Sequence, residues 1–465
     1  MMIHGLSFLS LSASAVLPWA LTGMLQGQKI RESVVTDVPQ SSTVQEKKLP
    51  NRNLISATTA ATTTYYVSGS GKDTNSGLTA SSPFRTPQRA ANLTQPGDTV
   101  LLMNGVYTNS NPNGSGIDIT RSGSANAWIV YKAYPGHSPK IQFNGWHGIW
   151  IKDGASYIEV NDLEIEGNNR NISLSYALSQ KKNTNNPLTS GSCITVDGRT
   201  KSHPHHVRIL NSKLHDCGAG GISAIETDYL TVDGNEVFNN AWYSPFGGSG
   251  ISMLRNWNYG NDNSQKYRNI ITRNKVYRNQ MYVPWIFNGK IQDGNGIIFD
   301  RLRESGYQGS SLVANNVVYL NGGGGIHSFR SDKLDIIHNT SYLNNQSPGI
   351  PYGNVSLNDV RNANVLNNIL YSRSGAPINV DSSKNTNTTF NYNLYNDNGY
   401  DASGSGPNDI IADPQFINAS GGDFRLKSTS RAINSGSRFS YLTTDILGNP
   451  RVRGSGPDRG AYEMQ

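Results

Sequence analysis

Residues 316–344 read NVVYLNGGGGIHSFRSDKLDIIHNTSYLN. Two copies of Asn-x-x-aromatic-x-Asn, Asn316 to Asn321 and Asn339 to Asn344, flank a Gly325-Ile326 pair that opens a short alternating run. The bracket recurs at Asn235 to Asn240 and at Asn274 to Asn279. Gly-Ile, or a close equivalent, opens a short run at Gly116, Gly148, Cys193, Gly221, Gly250, Gly296 and Gly325, then at Asn354 and Pro377. The spacings are 32, 45, 28, 29, 46, 29, 29 and 23 residues. Self-similarity on that scale marks a solenoid, with the two longest spacings read as coils carrying insertions.

Positions one and three after each start are apolar: Ile149/Ile151, Ile194/Val196, Ile222/Ala224, Ile251/Met253, Ile297/Phe299 and Val355/Leu357. The residues between them, such as Thr195, Ser223, Ser252, His327 and Ser356, are polar. Period-two patterning with one buried face is that of a strand. A second strand follows each first one and ends in the Asn bracket, whose amides would stack from coil to coil. The alternative is Asn chosen singly for turns. The sequence therefore predicts an all-β protein: a single-stranded right-handed parallel β-helix, a solenoid of about nine coils with N- and C-terminal caps.

Composition agrees. Across 465 residues there are 48 Gly but also 23 Tyr, 12 Phe and 7 Trp, so the chain is turn-rich yet able to pack. Residues 1–27, with the apolar run GLSFLSLSASAVLPWALTG, read as a signal peptide or membrane anchor, and 28–63 as a disordered linker. Residues 64–115 read as the N-terminal cap, 116–400 as the β-helix and 401–465 as the C-terminal cap. The closing stretch from Asp413 resembles the end segment of many secreted bacterial β-helix proteins. Secretion or cell-surface display is thus the expected location. Cys193 and Cys217 lie one coil apart; a bridge and two buried thiols both fit.

The net charge of +7 points to polyanions, and without Lys/Arg runs interleaved with aromatics an acidic polysaccharide is favoured over nucleic acid. No stable protein partner is implied, and a monomer is expected. Five residues after each start lies a charged column: Asp153, Gly198, Glu226, Arg255, Arg301, Arg330 and Asp359. Arg255, Arg301 and Arg330 could seat uronate carboxylates on successive rungs, with His327 nearby, or form a solvated ladder. Counting from the starts puts Tyr243 seven residues before Gly250 and Lys290 six before Gly296, hence on adjacent rungs of one edge. A Tyr beside a Lys suits β-elimination of a uronate polymer, the Lys lowering the Tyr pKa. The plainer readings are an aromatic plug and an exposed lysine. Glu226, Asp197, Asp293 or Asp300 would hold a divalent cation, calcium or similar, through hard oxygens. Asp293, in Gln-Asp-Gly-Asn-Gly, equally suits a turn.

The segments AWYSPFGGSGIS, DGNGIIFD and NNVVYLNGGGGIHSFRSDKLDIIHNTSYLN, within residues 219–345, resemble the β-helix polysaccharide lyases of family 31, which include alginate lyases. That resemblance implies Tyr243 as base, Lys290 as acid and a divalent cation at the cleft floor. Pectate lyases of family 9 share the fold and a segment like YYVSGSGKDTNSG, but their paired-Asp strand is not found in this sequence. The expected function is a secreted polysaccharide lyase cleaving alginate or a related polyuronate. A uronate C5-epimerase, a glycoside hydrolase with two facing carboxylates and a non-catalytic β-helix adhesin or surface protein are the alternatives.

Overall fold

A computed structural model describes residues 62–465, apart from 110, 112, 261–266 and 400–401. The leader or anchor at 1–27 and all but the last two residues of the linker at 28–63 lie outside the described residues. Each coil visits three parallel sheets in turn. His147–Ile151 belongs to a first sheet of nine strands, Ile158–Asn161 to a second of eleven and Glu164–Glu166 to a third of eleven. The chain then returns to the first sheet at Ser192–Asp197. This is a right-handed parallel β-helix. No helix among the described residues is long and apolar enough to cross a membrane.

The nine strands of the first sheet coincide with the nine starts in the sequence, with one shift. Val355 pairs with Asn379, so the equivalent of Asn354 is Ile378 and not Pro377. All twelve apolar residues of the alternating pattern are fully buried, and they line the core. A glycine opens these strands because its corner is crowded. A Cβ on Gly221, Gly250 or Gly296 would lie 2.7 Å from the carbonyl oxygen of the corresponding start on the next coil, and closer still to a valine of the third sheet. Cys193 occupies one such corner and forms a disulfide with Cys217, both fully buried.

The Asn bracket needs a correction. It does not end a second strand; it encloses a third, only three residues long, as at Glu236–Phe238, Lys275–Tyr277 and Val317–Tyr319. Its two Asn columns form separate buried ladders. Asn235 Nδ2 donates to Asn274 Oδ1 (3.0 Å), and the chain of amides continues through Asn316, Asn339 and Asn368 to Asn393 at 2.9–3.0 Å. The second runs from Asn240 through Asn279 and Asn321 to Asn344 at 2.8–3.1 Å. Each Oδ1 also accepts from the backbone N–H of the preceding Asn, so side chain and backbone are satisfied together. Between the columns the aromatics stack: Phe238 on Tyr277 at 5.0 Å and Tyr277 on Tyr319 at 4.7 Å.

Candidate functional site

The column five residues after each start is a backbone feature first. Asp153, Glu226, Arg255, Arg301, Arg330 and Asp359 all have φ between 47° and 58°, the left-handed turn that ends the first-sheet strand. The turn keeps them in register along one edge. Arg255 Nη2 lies 3.0 Å from Glu226 Oε1; Arg330 reaches Glu304 at 2.9 Å and Asp359 at 3.4 Å; Arg301 lies 3.6 Å from Asp300. These pairs are partly exposed, so each is weak and can be exchanged for a carboxylate from outside.

No hydrogen bond joins Tyr243 and Lys290, and the groups that shift the Tyr243 pKa do not include Lys290. Tyr243 is 7 % exposed and packs with Ala177, Val283 and Trp242. Burial, and then the neighbouring Tyr282, pushes its pKa up, opposite to the lowering a facing ammonium would give. Lys290 is exposed on a tight turn and makes no ion pair among the described residues. Counting back from the glycines failed for an identifiable reason. Tyr282 N donates to Trp242 O, Ile286 N to Pro245 O and Gly294 N to Gly248 O, which fixes the register of the two segments. Gly248 stands three positions after Pro245, but Gly294 stands eight after Ile286. The extra residues bulge outward and carry Lys290 with them, leaving Tyr243 opposite Tyr282 and Val283.

What the structure does bring together is Asp293, Asp300, Arg301, His327 and Tyr352. The Asp293 carboxylate lies over Gly247, where a side chain would strike it, and accepts from Asn295 Nδ2 at 3.3 Å. Burial and the charge of Asp300 raise the Asp293 pKa to about 7, with Asn295 and Arg301 opposing. Asp300 is itself raised, mainly by burial, and is restrained by Arg301 and Arg255. The Tyr352 hydroxyl is held protonated by burial and by these two carboxylates. His327 pairs with Ile298 in the first sheet, packs at a tilt against Tyr352 with ring centroids 4.2 Å apart and lies 3.2 Å from Asn358 through Nε2. Burial lowers its pKa to about 4, so it is neutral near pH 7. Tyr352 escaped sequence reasoning because it stands two residues before a start and not five after one; its aromatic character in a Gly-Pro-rich turn was the available signal.

The four expected cation ligands do not form a set. Arg199 grips Asp197 through two bonds of 2.8 and 2.9 Å, and Arg255 holds Glu226. No three of Asp197, Glu226, Asp293 and Asp300 come within reach of one ion. Among the described residues the group with that proximity is Glu164, Glu166 and His215 on the third sheet. There the Lys140 ammonium already sits 2.8 and 2.7 Å from the two carboxylates.

A second cluster lies past the column. His203 stacks on Trp257 at 4.6 Å, His205 on Tyr259 at 3.6 Å, and His206 between Tyr157 and Tyr229 at 4.7 and 4.3 Å. It went unnoticed in the sequence because its members come from four coils and share no motif.

Residues 65–364 match the family described as Pel9A-like, right handed beta helix region. Among solved structures, pectate lyase Pel9A is similar at 17 % identity and a TM-score of 0.47, over 87 % of this chain and 97 % of that one. Lacto-N-biosidase from Eubacterium ramulus is 17 % identical at a TM-score of 0.46, over 74 % of this chain and 57 % of that one. A rhamnogalacturonan lyase is 13 % identical at a TM-score of 0.36, over 86 % and 96 %. These are similarities of fold. No curated protein matches the sequence.

Proposed function

This chain belongs to the Pel9A-like right-handed β-helix family, and from that premise we propose that it is a secreted polysaccharide lyase cleaving alginate or a related polyuronate by β-elimination. The observation that carries the reading is a carboxyl of near-neutral pKa, Asp293, beside the arginine column of the first sheet. Arg301 and its neighbours neutralise the uronate carboxylate, which acidifies the proton on the adjacent ring carbon. Ionised Asp293 takes that proton; the electron pair forms the ring double bond and the glycosidic C–O bond breaks. The leaving oxygen takes a proton from Tyr352, whose hydroxyl burial keeps protonated. Lys290, exposed on the turn that bulges outward three residues before Asp293, fits the role of acid poorly. Tyr243 fits the role of base poorly, because burial holds its proton. No step is routed through a cation. The buried disulfide supports export to an oxidising compartment.

Two carboxyls in one site also favour a second reading. Asp293 as acid and Asp300 as base or nucleophile would serve glycoside hydrolysis. Incubation with a panel of polyuronates, read by absorbance near 235 nm and by reducing ends, separates the two. Lyase action gives both signals and hydrolysis only the second. Altered uronate composition with neither signal identifies an epimerase, and no change of any kind in any polymer leaves a binding protein.

A further inference from the structure

The turn that carries Lys290 outward also presents aromatic rings that packing leaves bare. Phe287 is 57 % exposed and Phe246 43 %, and among the described residues no other phenylalanine is exposed. They come from successive coils but sit on segments bonded to each other. Ile286 N donates to Pro245 O at 2.8 Å, and Trp285 Nε1 donates to Phe246 O at 3.1 Å. Trp285 packs edge-on against Phe287, ring centroids 4.8 Å apart. The turn is closed by Trp285 N donating to Lys290 O at 2.9 Å and by Gly289 N donating to Trp285 O at 2.8 Å. These bonds hold the segments from which the rings project into water. An exposed ring forgoes the stabilisation of burial, so a rim built this way serves contact with something outside the chain.

Its surroundings indicate what. Gly247, next to Phe246, lies under the Asp293 carboxylate, so the rim is continuous with the candidate site. Lys290, on the same turn, has no ion pair among the described residues. Resting on the reading above, we infer that Phe246, Trp285 and Phe287 form a sugar-stacking subsite for an acidic polysaccharide. The apolar C–H face of a pyranose ring lies on the aromatic rim, its hydroxyls stay in water, and Lys290 receives a ring carboxylate. The subsite holds the polymer beside Asp293 without touching the bond that breaks.

Native electrophoresis through gels containing alginate or polygalacturonate tests this by retention and not by cleavage. The parent is retarded. Combining Phe246→Ala with Phe287→Ala, which removes only exposed rings, weakens retention about tenfold. Tryptophan at both positions restores it and leucine does not, because stacking needs a ring face. The inference is overturned by a double variant within twofold of the parent, by leucine restoring retention as well as tryptophan, or by a parent that no polymer retards. A parent that dimerises through the rim in light scattering, with a monomeric double variant, overturns it as well. Retention without unsaturated product sinks the elimination reading alone; cleavage with unchanged retention in the double variant sinks only the subsite.

Discussion

The charge of Asp300 reaches Asp293. Together with burial it lifts the Asp293 carboxyl from an ordinary 3.8 to about 7, while Arg301 pulls the other way. A carboxyl that titrates near neutrality is half ionised where an exposed aspartate is fully so, and it holds a transferred proton far more firmly. The neighbouring Tyr352, pushed the opposite way from an activated phenol, remains a donor across the same range. One site thus contains an acceptor and a donor at a single pH.

Elimination should therefore rise with pH through about 7 as Asp293 ionises. Asp293→Asn should lower kcat by about 100-fold or more, with little change in polymer retention. A flat profile between pH 5 and 8 would remove Asp293 from the mechanism.

The same residue should cost stability. Its folded pKa is raised, so its contribution is complete below the unfolded value near 3.8 and is lost as pH climbs through about 7. Asp293→Asn should melt above the parent, by a larger margin at pH 8 than at pH 5. Calorimetry at the two pH values checks this, and an equal margin contradicts it.

In the proposed reaction Arg301 acts twice, as a seat for the substrate carboxylate and as the charge restraining the Asp293 pKa. Arg301→Gln should raise KM about tenfold for an acidic polymer and move the rising limb of the pH profile upward. A KM effect without the pH shift would mean that Arg301 binds substrate but does not tune Asp293.

Asn316 stands in the middle of a buried ladder, donating to Asn339 Oδ1 and accepting from Asn274. Asn316→Ala should destabilise by about 2 to 3 kcal/mol, because it strands buried polar groups on both neighbouring coils. Denaturant titration with an unchanged midpoint would refute that.

Cys193 and Cys217 close a loop with a sequence separation of 24. Replacing both with alanine should cost about 3 kcal/mol. Reductant should act on the native protein only slowly, since both sulfurs are fully buried. Rapid thiol titration without unfolding would contradict the burial.

The starts and their alternation were legible because two forces act on them at once: a corner that admits no Cβ and a core that admits only apolar side chains. The third sheet was not, because a strand such as Glu236–Phe238 is too short to show a period. The arginine column was found by counting, though its cause, a left-handed turn, leaves no residue signature when the chain places Arg there. Asp293 and Asp300 were named from their oxygens as ligands for a cation. Their shared environment, which turns the pair toward proton chemistry, depends on burial and on residues several coils away. The outward turn that carries Lys290 leaves no mark in the sequence, because a bulge between two bonded positions changes the count without changing the pattern.

The Asn ladders have one more consequence. In four coils the two Asn columns stand five residues apart, at Asn235/Asn240, Asn274/Asn279, Asn316/Asn321 and Asn339/Asn344, while the distance from one bracket to the next varies freely. An insertion inside a bracket would throw both amide chains out of phase, whereas one between brackets leaves them intact. Length added to the outer turns that hold Lys290, Phe287 and Asp293 thus leaves the amide chains in phase, so the rim can be reshaped while the seam of Asn side chains goes on holding the coils in register.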